Sequence, residues 1–200
     1  PAMNPKVDEL LRRMQALREE LEVEFRKKRE EIEFVMQGKR VRFAEEVQQR
    51  QRLYRVGLLR YLRGARWLVV LTAPVIYSGF VVFAAMDLFV TVYQALCFPV
   101  YGIPRVRRRD YMVFDRGDLP YLNAIERFNC FYCSYGNGVA AYLREVAART
   151  EQYWCPIKHA RRVLGAHDRY PDFFEFGDPE SFRQGLERLR AQYAEDDDAR

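Results

Sequence analysis

Charge is almost absent between residues 67 and 104, where the chain has no lysine, arginine or glutamate and a single aspartate, Asp87. The flanking regions are dense in charge: residues 1–66 carry 17 basic and 11 acidic side chains, and residues 105–200 carry 16 of each. This segregation excludes a uniform globular domain. The 13 Tyr, 14 Phe and 2 Trp exclude a disordered chain, and only four cysteines exclude a disulfide-dense secreted scaffold.

Residues that typically carry catalysis are also scarce. The chain has two histidines, and the pair His167-Asp168 is typical of an exposed loop. The glycines of Gly136-Asn137-Gly138 are followed by no Lys, Ser or Thr at the spacing of a phosphate-binding loop. Ser134 and Ser181 lack the neighbours that activate a nucleophile. The sequence therefore predicts no catalytic residue and does not favour an enzyme.

The predicted fold class is mainly α, in three regions. Residues 1–66 are predicted to form an amphipathic basic helical region, residues 67–104 an apolar membrane-inserted helical hairpin, and residues 105–200 a small α-rich, cytoplasmic metal-binding module. Within the last region, helices are predicted over 121–128, 139–149 and 180–193, and a turn is predicted at Gly136-Asn137-Gly138 before the second of these helices. Asp178 is the predicted N-cap of the last one.

The first region begins with a predicted long helix over residues 5–36. From Val7 to Phe25, apolar residues follow one another at steps of mostly three or four, as one face of a helix requires. Such a face packs against another helix, so a protein partner or self-association through this helix is expected. The heptad spacing is not sustained beyond Phe25, which favours a partly packed helix over a dedicated coiled coil.

Residues 39–66 interleave arginines with leucines and tyrosines, the pattern of a basic amphipathic helix. Because this region directly precedes the apolar stretch, the expected partner is a membrane surface with anionic lipid. Nucleic acid attracts the same charge, but no nucleic-acid-binding motif accompanies it, and nucleic acid is not expected as a partner. The predicted lipid-contacting side chains are Lys39, Arg40, Arg42, Arg50, Arg52, Arg55, Arg60, Arg63 and Arg66.

The apolar stretch is too long for one membrane crossing. Its 38 residues would span about 57 Å as a helix, whereas a hydrocarbon core of about 30 Å needs about 20 residues. Arginines flank both ends, so the positive-inside rule predicts a spanning or re-entrant hairpin that turns near residues 84–87. The expected location is the inner (cytoplasmic) membrane, with both termini and the metal module on the cytoplasmic side. A single crossing over 75–98, which buries Asp87, and a buried hairpin of a soluble core remain alternatives.

Four residues of the carboxyl half have the spacing of metal ligands, C-x2-C-x21-C-x3-H, through Cys130, Cys133, Cys155 and His159. A C-x2-C knuckle brings two thiolates onto one ion, and a helix beginning at Pro156 would place His159 one turn from Cys155. Three sulfurs and one imidazole nitrogen suit a tetrahedral zinc ion. The sequence predicts a zinc site here, whereas Cys97 is read as a small core residue.

Other interpretations of these four residues stay open. The same ligands suit a single iron or an iron–sulfur cluster, and the unliganded alternatives are free thiols or a C-x2-C disulfide. Because four protein ligands leave no open coordination position, the metal is expected to be structural. A hydrolase with Glu145 or Glu151 as the proton-handling group is a weaker hypothesis.

The expected function is therefore that of a membrane-anchored zinc-binding protein, acting as a binding, scaffold or assembly module in which the metal supplies folding energy. The main alternative is a membrane-associated redox protein that uses an iron centre or the C-x2-C thiols.

Overall fold

The computed structural model describes residues 5–30, 34–37 and 40–198, and within them the chain is mainly helical, as predicted. The helices are α1 (Pro5–Glu30), α2 (Glu45–Arg52), α3 (Leu58–Gly64), α4 (Trp67–Tyr101), α5 (Ala124–Trp154) and α6 (Pro179–Asp198). Strands β1 (Phe34–Gln37) and β2 (Arg40–Phe43) pair antiparallel, with Phe34 opposite Phe43. Short 3-10 turns lie at Arg108–Asp110, Asp115–Asp118 and Tyr170–Asp172.

The amino-terminal region differs from the prediction at its carboxyl end. The helix predicted over 5–36 ends at Glu30, and Val35 lies in β1 rather than on a helical face. The predicted basic helix over 39–66 is divided into β2, α2 and α3. The loss of the helical apolar period after Phe25 marks the change, and the β-branched and aromatic residues of Phe34-Val35 and Val41-Arg42-Phe43 suit a strand pair.

The apolar stretch forms one helix, so the predicted hairpin is wrong. Helix α4 runs without interruption through residues 84–87 and is about 52 Å long at 1.5 Å per residue. Ala84, Ala85 and Met86 are good helix formers and give no turn signal. Asp87 was expected at the tip of a hairpin; it lies in the middle of α4 and is buried. The helix is long and apolar enough to cross a membrane.

A glycine ends α4 and reverses the chain. Gly102 has a left-handed backbone with φ 67°, and the N–H of Ile103 donates to the carbonyl of Phe98 at 2.9 Å. This is a Schellman-type helix end. Residues 103–120, the return segment, then run back along α4: Val106 is bonded to Gln94, and Arg108 to Asp87. The return segment therefore covers one side of α4.

Helix α5 starts at a capping box and runs parallel to α4. The Asn123 side chain accepts from the N–H of Glu126 at 3.0 Å, and the Glu126 carboxylate accepts from the N–H of Asn123 at 2.8 Å. The predicted turn at 136–138 is absent, and one helix of 31 residues replaces the predicted helices over 121–128 and 139–149. The two helices run in the same direction. The Tyr77 hydroxyl of α4 donates to Asn129 of α5, and further along both helices the Tyr93 hydroxyl lies 3.1 Å from the Thr150 hydroxyl.

Glycines let α5 lie close to its neighbours. A Cβ atom at Gly136 would lie 2.6 Å from the Phe83 ring of α4. A Cβ atom at Gly138 would lie 2.7 Å from the backbone carbonyl oxygen of Tyr111 and 2.8 Å from the Met112 sulfur. Glycine is therefore required at positions 136 and 138 of the helix, in spite of its poor helix propensity, because a larger side chain does not fit at either position.

The variant Gly138→Leu is expected to lower the free energy of unfolding by about 2–3 kcal/mol, because a backbone carbonyl cannot move aside as a side chain can. Gly64→Leu is the matched control, since nothing lies within 4 Å of a Cβ atom at Gly64. Urea unfolding followed by circular dichroism measures both. Equal stability of the two variants would contradict the close packing of α5 on the return segment.

The buried core lies where α4, the return segment, α5 and α6 meet. Its members are Val90, Phe98, Ile103, Val106, Tyr142, Val146 and Tyr193. The buried Gln94 side chain forms two hydrogen bonds with the Val106 backbone: its carbonyl accepts from the Val106 N–H at 2.9 Å, and its amide donates to the Val106 carbonyl at 3.2 Å.

Asp178 accepts from the N–H of Ser181 at 3.0 Å at the start of α6, where it was predicted as the N-cap. Hydrogen bonds from Ser181 hold the pKa of Asp178 below its usual value.

Candidate functional site

The outer face of α4 is a long, exposed apolar surface. It consists of Leu71, Val75, Ser78, Val81, Val82, Ala85, Leu88, Phe89, Val92, Leu96 and Val100, all exposed. Leu71 at its amino end is 65% exposed and Leu96 near its carboxyl end is 67% exposed. Monomeric proteins in water rarely show an apolar patch of this extent. The face therefore indicates a surface that another apolar phase covers.

The first ten residues of α4 are exposed nearly all round. Between Trp67 and Ile76 only Ala73 is half-buried, and this segment has no charged side chain. At 1.5 Å per residue it is about 15 Å long, half the thickness of a hydrocarbon core of about 30 Å. Lipid can surround this part of α4 on every side, but it is too short to cross alone.

From residue 77 onward, the inner side of α4 carries polar and charged contacts beside the apolar core residues Val90 and Phe98. Arg105 donates to the Ala95 carbonyl at 3.0 Å, and Arg108 binds Asp87 through both carboxylate oxygens, at 2.7 and 2.6 Å. Tyr135 of α5 donates to the same carboxylate at 2.9 Å. The charge at Asp87, in the middle of an apolar helix, is thus satisfied by a bidentate arginine and a phenol.

The return segment places further charges alongside α4. Arg107, Arg109, Asp110, Asp115 and Arg116 are exposed there. At the level of Phe80 the segment is still present, because Phe114 stacks on Phe131, and Phe131 lies against Phe80. Irregular backbone with charged side chains therefore accompanies α4 from residue 101 back to about residue 80.

The predicted lipid-contacting arginines precede α4 and remain available. Arg42, Arg50, Arg52, Arg55, Arg60, Arg63 and Arg66 are exposed, and in the described residues no carboxylate pairs with them. Lys39 and the side chain of Arg40 lie outside the described residues. Exposed apolar side chains accompany the arginines, since Leu53 is 84% and Leu59 is 72% exposed. A basic and apolar segment therefore directly precedes α4 in the chain.

The four predicted metal ligands are not brought together. Cys130 and Cys133 lie inside α5, and Cys155 is its C-cap, so Cys133 and Cys155 are about 33 Å apart along the helix axis at 1.5 Å per residue. His159 was predicted on a helix with Cys155, but residues 155–164 are not helical, and the His159 ring stacks against Tyr170. In this fold the four side chains cannot share one ion, because the predicted turn at 136–138 is helical.

No group of three or more His, Cys, Asp or Glu side chains in the described residues is arranged to hold a metal ion. All four cysteines are free thiols. Burial and the Glu151 carboxylate raise the pKa of the Cys155 thiol, so that less of the metal-binding thiolate is present at neutral pH. Cys130 and Cys133 lie one turn apart on α5, and the redox hypothesis for this pair stays a prediction.

Purified protein is therefore expected to contain no stoichiometric zinc or iron, and Cys130→Ser is expected to leave folding unchanged. Elemental analysis and thermal unfolding of both proteins check this. One zinc or iron per chain that is lost in Cys130→Ser would contradict the described geometry.

A buried charge network lies at the carboxyl end of α5, and it includes Glu145, one of the two proton-handling candidates of the hydrolase hypothesis. Glu145 accepts from Arg149 at 2.9 Å and from Arg169 at 3.0 Å, and Arg149 also donates to the Pro104 carbonyl at 2.7 Å. Arg149 is 3% exposed. The spacing of Glu145 and Arg149, four residues apart on one helix, is the sequence signal for the first pair. Arg169 lies 24 residues after Glu145, and no local sequence pattern predicts their contact.

A cleft of about 520 Å³ opens beside this network, with Arg144, Asp168 and Asp172 among its lining residues. His167 on its wall bonds Glu151 through Nε2 at 3.0 Å, and no partner of its buried Nδ1 is found in the described residues. Basic and acidic groups alternate around the cleft, and its charge therefore favours no class of ligand. The network connects the loop that follows α5 to α5, through Arg169 and Glu145, and α5 to the return segment, through Arg149 and Pro104.

Comparison of the chain with known proteins gave no match to a protein-family model, to a curated protein or to a solved structure.

Proposed function

We propose that this chain is a membrane-bound binding or scaffold protein that lies along one face of a bilayer, with the outer face of α4 in the lipid. The observation that carries the proposal is the distribution of polarity around α4. One side, from Leu71 to Val100, is an apolar strip about 44 Å long at 1.5 Å per residue, with Ser78 as its only hydroxyl, and the other side is covered by the charged return segment and α5.

A perpendicular crossing is disfavoured by the return segment. In a hydrocarbon core, lipid-exposed irregular backbone is not tolerated, since water is unavailable to its N–H and C=O groups. A crossing centred on Asp87 would place Arg107, Arg109 and Asp110 in the core, and each charged side chain there costs several kcal/mol. A helix lying along the interface keeps these groups in water and places no charged side chain of α4 in lipid; Ser78, the one hydroxyl of the outer face, donates to the Val75 carbonyl at 2.7 Å.

The arginines before α4 add an electrostatic contribution. Each basic side chain close to an anionic membrane surface contributes about 1 kcal/mol, and this attraction is screened by salt. Seven exposed arginines between Arg42 and Arg66 carry no paired carboxylate in the described residues. On this side of the protein, anionic headgroups would replace the missing counter-charges.

The structural zinc site of the sequence-based expectation is not part of this proposal, because its four ligands do not converge. What remains is an anchored module whose free surfaces, α1 and the polar cleft, face the solvent. The expected location is the cytoplasmic face of the inner membrane, where anionic lipid and basic segments meet.

Flotation of the full chain with vesicles tests the proposal. The protein is expected to float with neutral phosphatidylcholine vesicles, through the apolar face, and to bind vesicles containing phosphatidylglycerol more tightly. The difference between the two lipids should shrink at high salt. A protein that stays monodisperse without detergent and floats with neither vesicle would contradict the proposal.

A further inference from the structure

Helix α1 has an apolar stripe that the rest of the chain does not cover. Val7, Leu10, Met14, Leu17 and Leu21 follow one another at steps of three and four, which are the a and d positions of a heptad repeat. All five are exposed, between 41% and 64%. Arg18 of α1 forms an ion pair with Asp168 at 3.4 Å, and both side chains are mostly exposed.

Charge is distributed unevenly along α1. Arg12, Arg13 and Arg18 flank the middle of the stripe, and Glu19, Glu20, Glu22 and Glu24 flank its carboxyl half. Glu22 and Glu24 pair with Arg29 and Lys27 of the same helix, whereas Glu19 and Glu20 form no ion pair in the described residues, and an anionic membrane would repel these two side chains beside Leu21. The stripe therefore suits a protein helix with a matching charge pattern better than a lipid surface.

We propose that α1 pairs antiparallel with α1 of a second copy of this chain. In the antiparallel register that places Met14 opposite Leu17 of the second copy, Leu10 packs opposite Leu21, so that these four residues form four layers; Val7 lies beyond the last layer, level with Glu24 of the second copy. Arg13 and Glu20 both occupy g positions, and antiparallel helices bring g positions of the two chains together. Each Arg13 then faces a Glu20 of the other copy, twice per dimer.

A parallel pair is disfavoured by the same charges. In parallel coiled coils a g position faces the following e position of the other chain, so that Arg13 would face Arg18. Within the described residues, neither Arg13 nor Glu20 forms an ion pair inside its own chain. Both side chains are thus available for the second copy, and only the antiparallel arrangement pairs them with opposite charge.

Sedimentation velocity of the full chain in detergent, over a concentration series, tests the proposal. Wild type is expected to shift from monomer to dimer as concentration rises, and Leu17→Glu is expected to remain monomeric because it places a charge in the centre of the seam. Ala16→Glu is the matched control: Ala16 is exposed beside Leu17 but outside the stripe, and this variant should dimerise like wild type. Circular dichroism checks that both variants keep their helix content.

Charge reversal tests the direction of pairing. Arg13→Glu and Glu20→Arg are each expected to weaken dimerisation, because each creates two like-charge contacts per dimer, and the double variant Arg13→Glu/Glu20→Arg is expected to restore it. A stronger dimer for Arg13→Glu would indicate parallel helices and overturn the proposal. A wild type that stays monomeric, or a Leu17→Glu variant that dimerises like wild type, would overturn it as well. Vesicle flotation of Leu17→Glu should be retained, which separates this proposal from lipid binding by α4.

Discussion

Replacement of Leu71 or Leu96 by aspartate is expected to weaken binding to neutral vesicles by about tenfold or more for each variant, with a larger loss for the double variant. Transfer of one leucine side chain from water into an apolar phase is worth about 1.5–3 kcal/mol, and about 1.4 kcal/mol corresponds to a factor of ten in affinity. Both side chains lie on the outer face of α4 and are about two-thirds exposed in the protein.

The two positions also distinguish the orientations of α4. They are 25 residues apart, about 37 Å along a helix with 1.5 Å per residue, which exceeds a hydrocarbon core of about 30 Å. A helix lying along the surface needs both leucines in lipid, so both single variants should lose affinity. If only the amino-terminal part of α4 entered the membrane, only Leu71→Asp would lower the affinity for vesicles.

The control for this experiment adds the same charge elsewhere. Gln184 and Ala191 are exposed on α6, and Gln184→Asp/Ala191→Asp is expected to bind vesicles as wild type does. If this control loses affinity as much as the α4 double variant, net charge rather than the apolar face governs binding, and the account of α4 is contradicted.

The replacement Glu145→Gln is expected to lower the free energy of unfolding by about 3–5 kcal/mol, the cost of leaving a buried charge without its partner. Arg149 has a side chain that is 4% exposed, and Glu145 is its carboxylate partner at 2.9 Å. Glutamine keeps an oxygen acceptor but removes the negative charge. Arg169 donates to the same carboxylate oxygen as Arg149, so it loses this negatively charged acceptor as well. Two guanidinium groups would then lie close together with little water between them.

An exposed pair provides the comparison. Glu187 lies 2.8 Å from Arg190, but its side chain is 83% exposed. Glu187→Gln is expected to change stability by less than about 1 kcal/mol, as exposed ion pairs usually do. Urea unfolding in one detergent measures both variants. A loss for Glu145→Gln no larger than that for Glu187→Gln would show that the network at the end of α5 is solvated.

Local sequence patterns predicted three features of the fold: the mainly helical class, the apolar segment and the last helix. The absence of charge between residues 67 and 104 predicted an apolar helical segment whose bounds lie close to those of α4, and Asp178 marked the start of α6. The hairpin was wrong because length alone suggested a turn, although residues 84–86 contain no turn signal. The inner partners of Asp87, namely Arg108 and Tyr135, arise from tertiary packing and left no trace in the local sequence.

The metal ligands illustrate a second limit of sequence reasoning. Gly136-Asn137-Gly138 is a usual turn signal, and a turn there would have folded Cys155 back towards Cys130. The glycines instead provide space for the Phe83 ring and the Tyr111 backbone, a requirement set by neighbouring elements. Spacing patterns of cysteine and histidine predict a site only when the intervening chain bends, and here it is a straight helix.

The depth of α4 in a bilayer is the most direct test of the proposed membrane surface. Single tryptophans at Leu71→Trp, Ala85→Trp and Leu96→Trp, in a Trp67→Phe/Trp154→Phe background, can be quenched by lipids brominated at different acyl positions. A helix along the interface predicts one shared depth, about 5–10 Å into the headgroup and acyl boundary, for all three positions. A depth that changes steadily from position 71 to position 96, passing the bilayer midplane, would contradict the account, as would the absence of quenching at all three.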